Sequence, residues 1–201
     1  MAGTEARYTS AEMPGESDQY GALLLPGQGF TSIPSRSSIT QAALVASQAL
    51  NLTFFRAPKT FSSTSVRMFT GSTAAAATPT LVRHGLWTVD ITTGALLALA
   101  ASTPNDTALF ATPGTNTAFS KSWSSPMPFI KGQWYAHGVL IVSAVALPTL
   151  FGVAATNGFI PSAVLPRVSG SILSQADLPS SAAGGAYSAA TGAGRLYAEF
   201  N

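Results

Sequence analysis

Cysteine is absent from this 201-residue chain, which excludes disulfides, zinc ribbons and thiol catalysis together. Charge is scarce as well. Asp, Glu, Lys and Arg make up 9% of the residues, against roughly 25% in ordinary soluble domains. No uninterrupted apolar run is long enough for a transmembrane helix. The most apolar stretch, residues 138–155, is broken by Ser143, Pro148, Thr149 and Gly152 and lacks aromatic and basic belts on both flanks, so it reads as strand, turn, strand and implies no membrane insertion. The first twenty residues, MAGTEARYTSAEMPGESDQY, are acidic and polar where a secretory leader is basic and then apolar. The expectation is a chain that works where it is made or leaves by cell lysis. In that setting Asn51-Leu52-Thr53 and Asn105-Asp106-Thr107 have no glycosylation role.

Apolar character is abundant by contrast. Hydrophobic residues reach 46% and the mean hydropathy is +0.29, which suits a neutral protein whose surface is partly covered by copies or partners. The net charge of +2 is unevenly spread: residues 1–20 hold Glu5, Glu12, Glu16 and Asp18 against Arg7, while the remainder is basic. The remaining Arg and Lys form no stripe or aromatic-interleaved run, so nucleic acid is not an expected partner. An acidic arm docking on a basic neighbour is one use of the asymmetry.

Residues 1–38 have no steady period and are punctuated by Pro14-Gly15, Pro26-Gly27, Gly29 and Pro34. They read as an extended N-terminal anchoring arm, and residues 39–201 as one domain that should fold without it. Residues 38–50 are ambiguous between a helix capped by Ser38 and a strand. Strands are then expected at 50–55, at 62–70 with Val66 and Met68 inward, and at 80–89 with its hairpin partner 95–101 across Asp90–Gly94. Others are expected at 115–123, broken by 124–128, and at 149–154, 164–173 and 195–200. The Ser/Ala/Gly-rich stretch 180–194 reads as a loop.

The most constrained stretch is 132–146, GQWYAHGVLIVSAVA. Its β-branched residues favour a pleated surface. Tyr135, Val139 and Ile141 fall on one face, Trp134, Ala136 and Leu140 on the other, so it should be a central strand covered on both sides. Short strands between Gly/Pro turns, without βαβ alternation, give the fold class: all-β, an antiparallel β-sandwich, jelly-roll-like, with an extended N-terminal arm.

Chemistry is sparse. His84 and His137 sit on expected strands, where with Asp90 or Asp106 they could ligate zinc, but their spacing is not that of a ligand set. No GxSxG elbow, GxGxxG turn or Walker loop is present. A glycosidase pair would have to come from Asp90, Asp106, Asp177 or Glu199, and the first two sit in expected turns. The reading is therefore no catalytic residue, no cofactor and no metal. Trp87, Trp123, Trp134 and Tyr135 lie at or near expected strands and are the candidates for partner or glycan contact; core packing is the plainer account of the same residues.

The stretch SVRMFTGSTAAAATPTLVRHGLWTVD, then ASTPNDTALF, GQWYAHGVLIVSAVALPTLFG, LPRVSGSILSQADLPSS and RLYAEF together resemble the β-sandwich of minor tail proteins from phages that infect actinobacteria. The resemblance covers about residues 44–200 and leaves the acidic arm outside. It implies a non-enzymatic virion surface module, made in the host cytoplasm, placed on the tail, sometimes host-facing, and supplies no catalytic residues. A homo-oligomer is expected, a trimer foremost, with the arm holding other virion proteins. A short arm plus one sandwich equally suits a capsid decoration protein, and exposed aromatics would suit a host-glycan adhesin.

Overall fold

The computed structural model describes residues 29–32, 39–44, 46–71, 79–110, 117–144, 147–153, 165, 168–186 and 194–201. Among them the chain forms strands only: β1 (Phe30–Thr31), β2 (Thr40–Ala43), β3 (Leu50–Arg56), β4 (Phe61–Phe69), β5 (Leu81–Val89), β6 (Leu96–Ser102), β7 (Ala118–Phe129), β8 (Trp134–Val142), β9 (Thr149–Val153), β10 (Ser169–Ile172), β11 (Arg195–Leu196) and β12 (Glu199–Phe200). Every described strand pairing is antiparallel, and the fold is the expected antiparallel β-sandwich.

One layer is the five-stranded sheet β10-β3-β8-β5-β6. The other contains β1-β12-β4-β7 and β11-β9-β2, joined by the Thr70–Leu150 bridge and by the continuous chain from β11 to β12. β8 sits at the centre of the five-stranded sheet, paired with β3 and β5 along its length. Its two apolar faces feed two cores. Tyr135, Val139 and Ile141 face the second layer with Val82, Leu86, Phe55 and Met68. Ala136 and Leu140 face outward with Leu50, Leu52, Phe54 and Trp87, under the segment 173–186.

Within the ambiguous stretch 38–50 the described residues form β2, a turn at Ser47 and Gln48 in which Gln48 takes φ 61°, and the start of β3. At the hairpin β5–β6, Gly94 adopts φ 72°, as the turn required. Two expectations need correction. The strand expected at 115–123 is not broken at 124–128: β7 continues to Phe129, and its register against β4 slips between Ser63 and Ser65 so that residues 123–126 bulge. This works because β7 is an edge strand, where Pro126 and Pro128 need donate nothing on the open side.

The second correction is the boundary of the arm. Phe30 is fully buried and lies 4.7 Å from Phe129, 5.3 Å from Phe200 and 5.9 Å from Phe55, ring centre to ring centre. Thr31 and Ser32 are buried too. Ser32 Oγ donates to the Leu196 carbonyl at 2.8 Å and accepts the Ala198 N–H at 2.9 Å. A Cβ on Gly29 would stand 2.0 Å from the Phe200 carbonyl oxygen, so only glycine lets the chain enter here. Residues 29–32 are thus part of the sandwich, and the domain does not begin at 39. The remainder of the proposed arm lies outside the described residues.

Candidate functional site: a buried histidine pair

On β5 the inward positions are Val82, His84 and Leu86; on β8 they are Tyr135, His137, Val139 and Ile141. The register sets His84 opposite Val139 and His137 opposite Leu86, so the two imidazoles are diagonal neighbours on one face. Both are buried, at 2% and 1% exposure. Their rings stack at 11° with centres 5.4 Å apart, and His84 Nδ1 lies 3.3 Å from His137 Nε2. Phe110 meets His84 edge-on at 5.9 Å, and Phe200 meets His137 edge-on at 5.7 Å. Thr103 fixes the His84 backbone, its Oγ1 accepting the His84 N–H at 2.9 Å and its own N–H donating to the His84 carbonyl at 2.9 Å.

A charged imidazolium is costly in these apolar walls. Burial, reinforced by the positive charge of Lys121, lowers His84 to about 4. Burial, reinforced by His84, holds His137 well below its ordinary value. Both rings are therefore neutral at neutral pH and share one N–H between facing nitrogens. His137 Nδ1 has no hydrogen-bond partner. The tautomer that makes this atom a bare acceptor, with Nε2 donating to His84 Nδ1, avoids stranding a buried N–H.

The separation of the facing nitrogens matches two ligands of a tetrahedral zinc, whose N–Zn bonds of about 2.0–2.1 Å place such nitrogens about 3.4 Å apart. The donor set does not match. Among the described residues no group of three His, Asp or Glu side chains assembles, and Phe110 and Phe200 occupy the flanks of the pair. The carboxylates that sequence would have recruited are engaged elsewhere. Asp90 accepts from Thr92 and Thr93 in the β5–β6 turn, bonds that lower it to about 2. Asp106 pairs with Lys121 at 2.8 Å, and that bond lowers it.

The other two acids are also internally spent. Asp177 pairs with Arg83 at 2.7 Å. Glu199, on β12, is almost fully buried; it receives both Nε and Nη2 of Arg67 and the Tyr197 hydroxyl at 2.5 Å. Arg67 in turn lies over the Phe69 ring. This clamp holds the closing strand to β4, and sequence gave no sign of it beyond the residue types.

The four aromatic candidates do not form a surface platform. Trp87, Trp123 and Tyr135 are buried at 0%, 6% and 1% exposure. Trp134 is half-buried against the outer core. Trp87 lies across a cross-strand glycine pair: a Cβ on Gly85 would be 2.3 Å, and one on Gly138 2.7 Å, from its indole. Its Nε1–H donates to the Pro179 carbonyl at 2.9 Å. Trp123 Nε1–H donates to Ser63 Oγ at 3.1 Å, and Tyr135 Oη accepts the Ile130 N–H at 3.0 Å. Each ring spends its polar handle on the fold. Both sequons are spent as well: Asn51 is buried with Nδ2 on the Ala49 carbonyl, and Asn105 bridges Val82 N–H and the Thr80 carbonyl.

No protein-family model matches the chain, and no curated protein matches it.

Proposed function

We propose that the protein is a non-enzymatic structural component of a tailed-phage virion, a surface β-sandwich of the tail held in the particle through its N-terminal segment. The observation that carries this reading is where the family-like sequence falls. Ser65–Asp90, Ala101–Phe110, Gly132–Gly152, Leu165–Ser181 and Arg195–Phe200 supply β4, β5, β8, β9, β10, β11 and β12. The resemblance therefore lies in the framework of both layers, not in loops carried on it. The internal engagement of His84, His137, Asp90, Asp106, Asp177 and Glu199 is consistent with a building block whose polar groups serve its own stability. A host-glycan role would need contacts other than Trp87, Trp123 and Tyr135, which face the cores.

Immunogold labelling of intact particles, with antibody raised against the folded chain, tests the proposal. Gold at the tail or its tip is the expected result. Gold spread over the head would replace the tail assignment with capsid decoration, and unlabelled particles would overturn the virion reading altogether.

A further inference from the structure

The histidine pair is enclosed by walls of unequal strength. β5 and β8 are interior strands paired along their length. Phe200, the wall beside His137, lies on β12, which pairs with β1 and β4 and is clamped through Glu199 to Arg67. The wall beside His84 is built differently. Residues 103–110 leave β6, at the end of the five-stranded layer, and precede β7, at the end of the other. They close the side of the sandwich without being strand themselves. Their ties to β5 are single bonds: Thr103 N–H to the His84 carbonyl at 2.9 Å, Asp106 N–H to the Val82 carbonyl at 3.1 Å, and Val82 N–H to Asn105 Oδ1 at 2.8 Å.

Phe110 ends this segment and is its plug. The residue is 1% exposed, and its ring meets His84 at 5.9 Å and Phe119 of β7 at 5.3 Å, edge-on in both cases. Its backbone stands at φ 63°, in the left-handed region that a bulky side chain seldom adopts. Packing therefore holds the ring against the imidazole at the expense of backbone strain, and withdrawal of the ring relieves that strain. The ion pair that steadies the segment, Asp106 with Lys121 of β7 at 2.8 Å, is partly exposed and correspondingly weak.

We propose that residues 103–110 form an acid-operated gate: protonation of the His84–His137 pair swings the segment outward, Phe110 with it, while β5 and β8 stay paired. A charge on either ring requires water, and this wall admits it with the fewest ladder bonds lost. The other groups around the pair leave the imidazoles as the trigger. Lys121 on β7 opposes a charge on His84, so repulsion acts in the opening direction. Asp106, bonded to Lys121, is held below the ordinary carboxylate value and stays ionised. Tyr135 on β8 is raised by burial and stays neutral. On β12, Glu199 is bound to Arg67 and Tyr197. On β3, uncharged Thr53 stands opposite His137; on β11, Arg195 Nη2 donates to the Ser32 and Phe54 carbonyls at 3.4 Å. The gate does not depend on the virion reading.

The open, hydrated pair binds protons more readily than the closed one, so the open population grows as pH falls from about 6.5 towards about 4. Through His84 alone the opening constant rises about 60-fold between pH 7 and pH 4.5, and His137 adds to it. Native-state hydrogen exchange, read by NMR on the full chain, tests the gate. Protection factors of the Thr103 and Asp106 amides should fall by that factor or more over this range and respond little to added urea. Amides of the β3–β8 ladder should stay far better protected and respond steeply to urea, as exchange through global unfolding does. In a His84→Leu/His137→Leu variant with a dispersed spectrum, the fall at Thr103 and Asp106 should disappear. Exchange of these two amides with the urea dependence of the β3–β8 ladder would overturn the gate, and the parent chain alone decides that point. Protection that is independent of pH, or a fall that persists in the variant, would overturn it as well.

Discussion

The two faces of the five-stranded sheet are both buried, yet they are covered in different ways. The inner face meets a second sheet, and Phe30, Phe55, Phe129 and Phe200 interlock there with ring centres 4.7–6.1 Å apart. The outer face is covered by residues 173–186, an irregular strap fastened at separate points. Gln175 N–H bonds the Gln48 carbonyl, Asp177 pairs with Arg83, the Pro179 carbonyl takes the Trp87 indole, and Ala182 bridges Leu96. The difference is one of cooperativity. Loss of an inner contact is felt by both layers; loss of a strap fastening can be confined to the strap.

That contrast can be broken most severely at Phe30. Phe30→Ala should cost about 3–5 kcal/mol, and removal of residues 1–38 should abolish the cooperative thermal transition. Removal of residues 1–28 alone should leave that transition intact. Calorimetry of the two truncations decides whether the inner core begins at Phe30.

Acid should attack the inner face next. The folded-state pKa of His84 lies below the ordinary histidine value, so between about 6.5 and about 4 the unfolded chain binds more protons and stability falls as pH falls through that window. The shift corresponds to about 3 kcal/mol, and His137 acts in the same direction. Urea midpoints across this range should decline in the parent and flatten in a His84→Leu/His137→Leu variant.

On the outer face, Gly138→Ala should cost about 1–3 kcal/mol by crowding Trp87, Leu50 and Leu52, measured as a lowered urea midpoint. Trp87→Phe should loosen the strap by about 1–3 kcal/mol, by orphaning the Pro179 carbonyl and opening a void over Gly85 and Gly138. Limited proteolysis within 173–186 would then accelerate several-fold. The smallest effect belongs to Arg83→Ala, at most about 1 kcal/mol because Asp177 is largely exposed; double-mutant cycles with Asp177→Ala would isolate it.

Much of the sandwich is legible in the chain because its strands alternate or run apolar over many residues. Val66 and Met68 on β4, and both faces of β8, follow from period and branching alone. Phe30 does not, because a two-residue strand has no period and its partners are 25 to 170 residues away in sequence. The continuation of β7 through Pro126 and Pro128 depends on its being an edge strand, a property of the assembled sheet. The histidine pair is hidden for a related reason: its members are separated by 53 residues, and only the β5–β8 register makes them diagonal neighbours. The burial of Trp87 hangs on Gly85 and Gly138, which in the sequence look like simple strand interruptions.

Those two glycines and Trp87 act as a single volume divided among three positions. A methyl group gained at 85 or 138 must be given back at 87, and a smaller residue at 87 opens a void unless one of the glycines grows. Single steps from the present combination therefore go downhill in stability whichever residue moves first. Any sequence drift at this spot has to proceed by paired exchange, with the strap above tolerating the interval.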